Sequence, residues 1–85
     1  MNREILEKKL EEKGVKNIYY SLYGELKPDS IVLYQNYKKW EVFYFSERGE
    51  KENEKIFFSE SEACEYIYNN LIEAKKIAEE HNLNY

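Results

Sequence analysis

The stretch SESEACEYIYNNLIEAKKIA, residues 59–78, decides the fold. It opens with a capping box in which Ser59 is the N-cap and Glu62 the N3 residue, so a helix begins here. At about 100° per residue, the apolar side chains fall on one face of this helix, which predicts that it packs on a hydrophobic core. The predicted core face consists of Ala63, Tyr66, Ile67, Leu71, Ala74, Ile77 and Ala78.

The opposite face of the same helix is polar and acidic. It carries Glu62, Glu65, Asn69, Glu73, Lys76 and Glu80. Residues 59–85 hold six acidic side chains against two lysines, which gives −4, while residues 1–58 hold eleven of each sign, which gives zero. The whole net charge of −4 therefore lies on the C-terminal segment. A field of this sign repels phosphate backbones and attracts basic partners, so nucleic acid is not the expected partner.

A first helix is predicted over residues 3–13, with Asn2 as its N-cap. Gly14 fits the left-handed C′ position that ends many helices. Val15 would then occupy C″ and contact Leu10, which is the hydrophobic contact of a Schellman motif.

Four β-strands are predicted between the two helices. They cover residues 16–23, 31–35, 40–46 and 54–58. In the first, Ile18, Tyr20 and Leu22 alternate onto one face, and the third is apolar on both faces after Glu41, as expected of a central strand. The connections are short, and none is a crossover of helical length, which predicts an antiparallel meander.

The order of elements predicts a single α+β domain over residues 1–85. An N-terminal helix precedes a four-stranded antiparallel meander, and the long C-terminal helix packs on one face of the sheet. The charged residues 1–7 contain no apolar signal-peptide core, and the longest apolar runs have four residues. We therefore expect a cytoplasmic protein with no membrane partner.

The sequence offers no complete catalytic or metal-binding motif. Cys64 is the one thiol and His81 the one imidazole, whereas a structural zinc needs four ligands. The three glycines are isolated, so no nucleotide-binding loop is present. Cys64 is interpreted as a packing residue, and His81 lies near the predicted helix end. We predict no enzyme activity, no cofactor and no metal; a small hydrolase using His81 or a carboxylate pair is the alternative.

The aromatic residues bear on partner binding, because tyrosine and tryptophan concentrate binding energy at interfaces. The chain has nine Tyr, four Phe and one Trp. Trp40, Val42 and Tyr44 point to one face of the third strand, and Phe43 and Phe45 point to the other. A helix layer covers only one face, so the rings on the other face either pack across strands or contact a partner. An adaptor or oligomerisation module using this face is therefore one functional hypothesis.

A second candidate surface lies on the C-terminal helix, where two large side chains lie off the core stripe beside the acidic face. Together they suggest apolar anchors next to charges that steer a basic partner. The predicted partner-binding residues are Glu62, Glu65, Tyr68, Ile72 and Glu73.

Three runs of sequence, residues 20–26, 40–49 and 58–66, resemble a known family. The most specific pieces are Trp40-Glu41-Val42, continuing to Ser46-Glu47-Arg48-Gly49, and the later Ser-Glu-x-Glu-Ala-Cys of residues 59–64. They are similar to small bacterial immunity proteins of polymorphic or contact-dependent toxin systems. The resemblance implies a cognate toxin bound stoichiometrically and no catalytic residues. We expect the chain itself to be a monomer or a weak homodimer.

Overall fold

The computed structural model describes residues 1–81, which form a helix layer packed on a sheet. The elements are helix α1 (Arg3–Glu12), a 3₁₀ helix (Asn17–Tyr19), strands β1 (Tyr20–Ser21), β2 (Ser30–Asn36), β3 (Lys39–Phe45) and β4 (Lys51–Phe57), and helix α2 (Glu60–Glu80). The strands lie side by side in the order β1-β2-β3-β4, so β3 is internal as predicted. The predicted α+β fold is confirmed.

The sheet is mixed, and the prediction of an all-antiparallel meander is wrong. Strand β1 runs parallel to β2, with Tyr20 opposite Ile31, whereas the other two pairings are antiparallel. Parallel strands usually need a crossover of a dozen or more residues. Here β1 has only two residues, so the chain returns only about 7 Å and the loop over 22–29 suffices. Buried Ser21 helps to hold this loop, because its hydroxyl donates to the Glu25 carbonyl at 2.6 Å.

The predicted first strand is also too long. Its first part is the 3₁₀ helix, so the predicted alternation of Ile18, Tyr20 and Leu22 onto one face does not extend to Ile18, which is 58% exposed. Tyr20 and Leu22 are both buried. The Lys27 ammonium group donates to the carbonyls of Asn17 at 2.6 Å and Tyr20 at 2.9 Å. These bonds stabilise the turn, and hydrophobic periodicity does not predict them.

Strand β4 begins three residues earlier than predicted, at Lys51, and ends at Phe57, so the charged turn before it is shorter. Its register against β3 shifts between Val42 and Tyr44. Asn53, at φ +54°, lies on the β4 side of this irregularity. An extra residue in one strand of a pair strengthens the local twist and weakens pairing at an open sheet edge.

Both helices begin and end as the sequence indicates. The Asn2 side chain accepts a hydrogen bond from the Ile5 backbone at 2.9 Å, and Ser59 Oγ accepts one from the Glu62 backbone at 3.2 Å. At the end of α1, the Val15 N–H donates to the Leu10 carbonyl at 2.9 Å. Gly14 has φ +77°, which completes the predicted Schellman motif.

One hydrophobic core joins the two helices to one face of the sheet. Its helical members include Leu6 and Leu10 of α1 and Ile67 and Leu71 of α2. Leu33, Trp40 and Val42 of the sheet, all buried, pack in the same cluster.

The buried face of α2 is narrower than predicted. Ile77, predicted to lie in the core, is 50% exposed, and Tyr66 and Ala74 are half-buried. Cys64, interpreted as a packing residue, is fully buried. The remaining buried positions of this helix are Ala63, Ile67, Leu71 and Ala78. They centre the buried face near Ile67 and Leu71, and at about 100° per residue Ile77 falls roughly a quarter-turn away.

Candidate protein-binding face on the second helix

The polar face of α2 forms a continuous exposed strip, which we call the acidic stripe. It consists of Glu62, Glu65, Asn69, Glu73, Lys76 and Glu80, all of which are exposed. From the first to the last of these residues the helix rises about 27 Å. The three carboxylates predicted to bind a partner, Glu62, Glu65 and Glu73, therefore lie on one surface, separated by helical spacing.

The carboxylates of the acidic stripe have no basic partner within residues 1–81. The ion pairs in this part of the chain join Arg3 to Glu60 at 3.3 Å and Lys75 to Glu79 at 3.5 Å. The last turn of α2 contains no basic residue, so the negative end of the helix dipole adds to the field of the stripe. With four glutamates and one lysine, the stripe carries a net charge of −3 and is exposed to solvent.

The two apolar side chains predicted to anchor a partner, Tyr68 and Ile72, are not fully exposed. Tyr68 and Ile72 are half-buried and pack against the hydrophobic core. The Lys9 ammonium group lies 5.8 Å from the centre of the Tyr68 ring, so α1 already contacts that side chain. The structure thus places Tyr68 at the junction of the helices rather than on the open stripe.

Ile77, which was predicted to lie in the core, is an exposed apolar neighbour of the acidic stripe. A shallow groove on α2 is lined by Asn69, Ile72, Glu73, Lys76, Ile77 and Glu80. Ile72 and Ile77 flank the carboxylates on opposite sides of this groove, and Ile77 is 50% exposed. The sequence did hold a signal: Ile77 lies at the margin of the apolar arc, about 100° from its centre.

A cluster around Arg3 fixes the start of α2. The Arg3 guanidinium lies 4.7 Å from the centre of the Tyr23 ring and 5.0 Å from that of Trp40. Its Nε and its backbone N–H both donate to the Glu60 carboxylate, at 3.3 and 3.0 Å. Such charge-assisted bonds at a half-buried site resist displacement. They tie the first turns of both helices together and so help to set the position of the acidic stripe.

The other face of the sheet is less open than an aromatic platform requires. Val32 and Phe43 are buried there, and the Lys51 ammonium group lies 4.8 Å from the centre of the Phe43 ring. Tyr34 and Ile56 remain 45% and 56% exposed. Glu41 lies between them in the register, since it pairs with Tyr34 on β2 and with Ile56 on β4. A charged residue therefore divides the apolar surface.

The reactive side chains considered in the sequence do not form a site within residues 1–81. Burial, and to a smaller extent the Glu60 carboxylate, raises the pKa of the Cys64 thiol to about 11. His81 is the exposed C-cap of α2. This part of the chain contains no group of three or more His, Cys, Asp or Glu side chains that could hold a metal ion. The absence of enzyme activity stays a prediction.

Among the described residues, neither helix combines the length and apolar content that a membrane span requires. No protein family, curated protein or solved structure matches this chain.

We expect the Cys64 thiol to be almost inert in the folded protein. With a pKa of about 11, roughly 0.1% of the thiol is ionised at pH 8, compared with about a quarter at the unperturbed pKa of about 8.5. Alkylation by iodoacetamide at pH 8 should therefore be at least about 100-fold slower in native protein than in protein unfolded by guanidinium chloride. A native rate close to the unfolded rate would show an accessible thiolate and revive Cys64 as a nucleophile.

Proposed function

We propose that this chain is a non-enzymatic protein-binding domain that captures a basic protein through the acidic stripe of α2. The observation that carries this proposal is the row of unpaired, exposed carboxylates flanked by Ile72 and Ile77. The resemblance to immunity proteins makes a bacterial toxin the particular partner. The chain would then neutralise the toxin stoichiometrically, by covering its active or substrate-binding surface.

Charge and apolar contact have separate roles in this proposal. Toxin domains that cleave nucleic acid need a basic surface, and the negative stripe would raise their association rate through long-range attraction. The flanking isoleucines would leave water on binding and slow dissociation. Because α2 is anchored by the core and by the Arg3–Glu60 pair, the stripe is already in place and little entropy is lost on binding.

The alternative is an adaptor or oligomerisation module that uses the outer sheet face. The exposure of Tyr34 and Ile56 favours it, and the position of Glu41 between them weighs against it. Ile56 therefore serves as an internal control for the experiments on α2.

Reversing two charges of the acidic stripe should weaken binding of the proposed cognate toxin. In Glu65→Lys/Glu73→Lys, four units of charge change on one helix face, so we expect the association rate to fall by about tenfold or more at low salt. The dependence of affinity on ionic strength should flatten as well. Surface plasmon resonance across a salt series measures both effects.

The matched control is Glu12→Lys/Glu47→Lys, which makes the same change in net charge at exposed positions away from the stripe. This control should change the association rate much less than the α2 variant does. If both double variants lost association rate equally, the effect would be due to net charge alone and not to the position of the charges. An unchanged affinity in the α2 variant would remove this helix from the interface.

Truncating Ile77 should act on dissociation rather than association. We expect Ile77→Ala to raise the dissociation rate about five- to thirtyfold, as loss of an interface anchor worth about 1–2 kcal/mol would. Ile56→Ala removes the same atoms from a side chain of similar exposure, 56% against 50%, on the outer sheet face. It should leave the complex unchanged, and the reverse ranking of the two variants would favour the adaptor hypothesis. Dissociation rates from surface plasmon resonance make the comparison.

A further inference from the structure

The space between α2 and the sheet is incompletely filled on the side of β4. Residues 51–56 of this strand are all exposed, so they supply no buried apolar side chain to the layer under α2. The buried sheet residues of the core, among them Leu33 and Val42, come from β2 and β3 instead. One margin of the interface between helix and sheet is therefore left open.

A β-bulge lies at the same margin. Between Val42 and Tyr44 of β3, strand β4 contains one residue more than regular pairing requires. Asn53, in this part of β4, has φ +54°, a left-handed conformation that asparagine adopts more readily than most residues. A bulge bends its strand and interrupts the ladder, so it leaves room beside β3.

A pocket of about 180 Å³ occupies this margin, between β3, β4 and α2. We call it the bulge pocket. Its lining carries no charged side chain and includes Ile31, Val42, Tyr44, Asn53, Tyr66 and Asn70. An apolar cavity of about 150 Å³ is large enough to bind benzene, whereas pockets for drug-sized ligands begin at about 300 Å³. The bulge pocket therefore has room for a single ring.

Two tyrosine rings, one from each layer, line the bulge pocket, and both are held by neighbouring groups. The Tyr44 hydroxyl donates to the Asp29 carboxylate at 2.9 Å, and the Asp29 N–H donates to the Phe45 carbonyl at 2.7 Å. The bond to Asp29 raises the pKa of Tyr44, so this phenol is uncharged at neutral pH. The centre of the Tyr66 ring lies 5.3 Å from that of Phe57. Walls that are already in place reduce the entropy lost when a ligand binds.

Asn70 supplies a polar group to the bulge pocket. Its side-chain NH₂ donates to the Tyr66 backbone carbonyl at 2.8 Å, which fixes the orientation of the amide. This bond uses a donor and leaves the amide oxygen, with its two lone pairs, as an acceptor. The pocket thus combines apolar and aromatic walls with one oriented acceptor.

We propose that the bulge pocket binds one uncharged aromatic ring that carries a hydrogen-bond donor, as a phenol does. The ring would pack on Ile31 and Val42 and contact the rings of Tyr44 and Tyr66 in an offset or edge-to-face arrangement. Its hydroxyl would donate to the Asn70 oxygen. A charged ligand would lose hydration without gaining an opposite charge, so it is disfavoured.

The ring could belong to a free phenol or to a tyrosine side chain of a protein. The bulge pocket shares no lining residue with the acidic stripe, so the proposal does not depend on the proposed function. At about 100° per residue, however, Tyr66, Asn70 and Ile77 fall within about 40° of one another around α2. A protein bound to the stripe and Ile77 could therefore place a tyrosine in the pocket.

The test is a titration of ¹⁵N-labelled protein with p-cresol, which is the side chain of tyrosine, followed by amide chemical shifts. We expect saturable shifts clustered in residues 42–44, 53–54 and 66–70, with a dissociation constant on the order of 1 mM, as for a ligand of this size. Cyclohexanol, which keeps the hydroxyl but lacks the aromatic ring, should bind at least about fivefold more weakly. Equal binding of the two probes, or shifts spread over the whole molecule, would overturn the assignment.

A second probe distinguishes the two sources of the ring. N-acetyl-tyrosine N-methylamide should bind at least as tightly as p-cresol if the pocket takes a side chain of a protein. It should bind at least about tenfold more weakly if the pocket takes a free phenol, because the backbone groups would then obstruct entry. Either ranking supports the pocket, and a failure of both probes to bind would contradict it.

Variants locate the ring at the bulge pocket. Asn70→Ala should weaken p-cresol binding by about fivefold through loss of the acceptor. Asn69→Ala, at the neighbouring exposed position of α2 outside the pocket lining, is the matched control and should bind like the unmodified protein. Both variants should fold, since alanine favours a helix at exposed positions. Equal losses in the two variants would contradict the proposal.

Discussion

The rotation of α2 about its own axis is the constraint on which the rest of the structure depends. Ile67 and Leu71 are held in the core, and three small residues, Ala63, Cys64 and Ala78, are buried along the same face. Small side chains let the helix approach the sheet closely, and a rotation of even half a turn would bury several glutamates at a cost of several kcal/mol each. The exposed position of the acidic stripe therefore follows from the packing of the opposite face.

A basic partner, as proposed, would explain why the carboxylates of the acidic stripe are unpaired. Lysines at helical spacing from glutamates stabilise a helix. Glu62 and Glu65 have no basic residue at that spacing, and Lys76, three residues from Glu73 and four from Glu80, forms no ion pair with either inside residues 1–81. The Arg3–Glu60 pair, at 3.3 Å, lies where the two helices begin and ties their first turns together. Exposed like charges cost little in water and gain value on contact with a basic surface.

Sequence patterns among neighbouring residues predicted the helices and strands. The features that were predicted wrongly depend on contacts between different parts of the fold. The capping box at Ser59 and the left-handed Gly14 involve only neighbouring residues, so α1 and α2 could be predicted from the sequence. The parallel pairing of β1 is accompanied by hydrogen bonds from the Ser21 hydroxyl to the Glu25 carbonyl and from the Lys27 ammonium group to the Tyr20 carbonyl. Hydrophobic periodicity and turn signals do not predict such side-chain bonds. In the candidate site, the exposure of Glu62, Glu65 and Glu73 follows from helical periodicity alone. Tyr68 was predicted to lie exposed beside the acidic stripe, but α1 contacts it, and Ile77 is the exposed apolar side chain instead. Helical periodicity cannot predict this contact, because it depends on where α1 packs.

Methyl NMR of the isoleucine side chains tests the central claim most directly, because they lie on both helices, on the 3₁₀ helix and on the sheet. The seven are Ile5, Ile18, Ile31, Ile56, Ile67, Ile72 and Ile77. On titration with the proposed partner, a cognate toxin, the account predicts that the δ1 methyl signals of Ile72 and Ile77 shift most and that Ile56 is unaffected. A shift at Ile56 with Ile77 unchanged would place the partner on the outer sheet face and contradict the account.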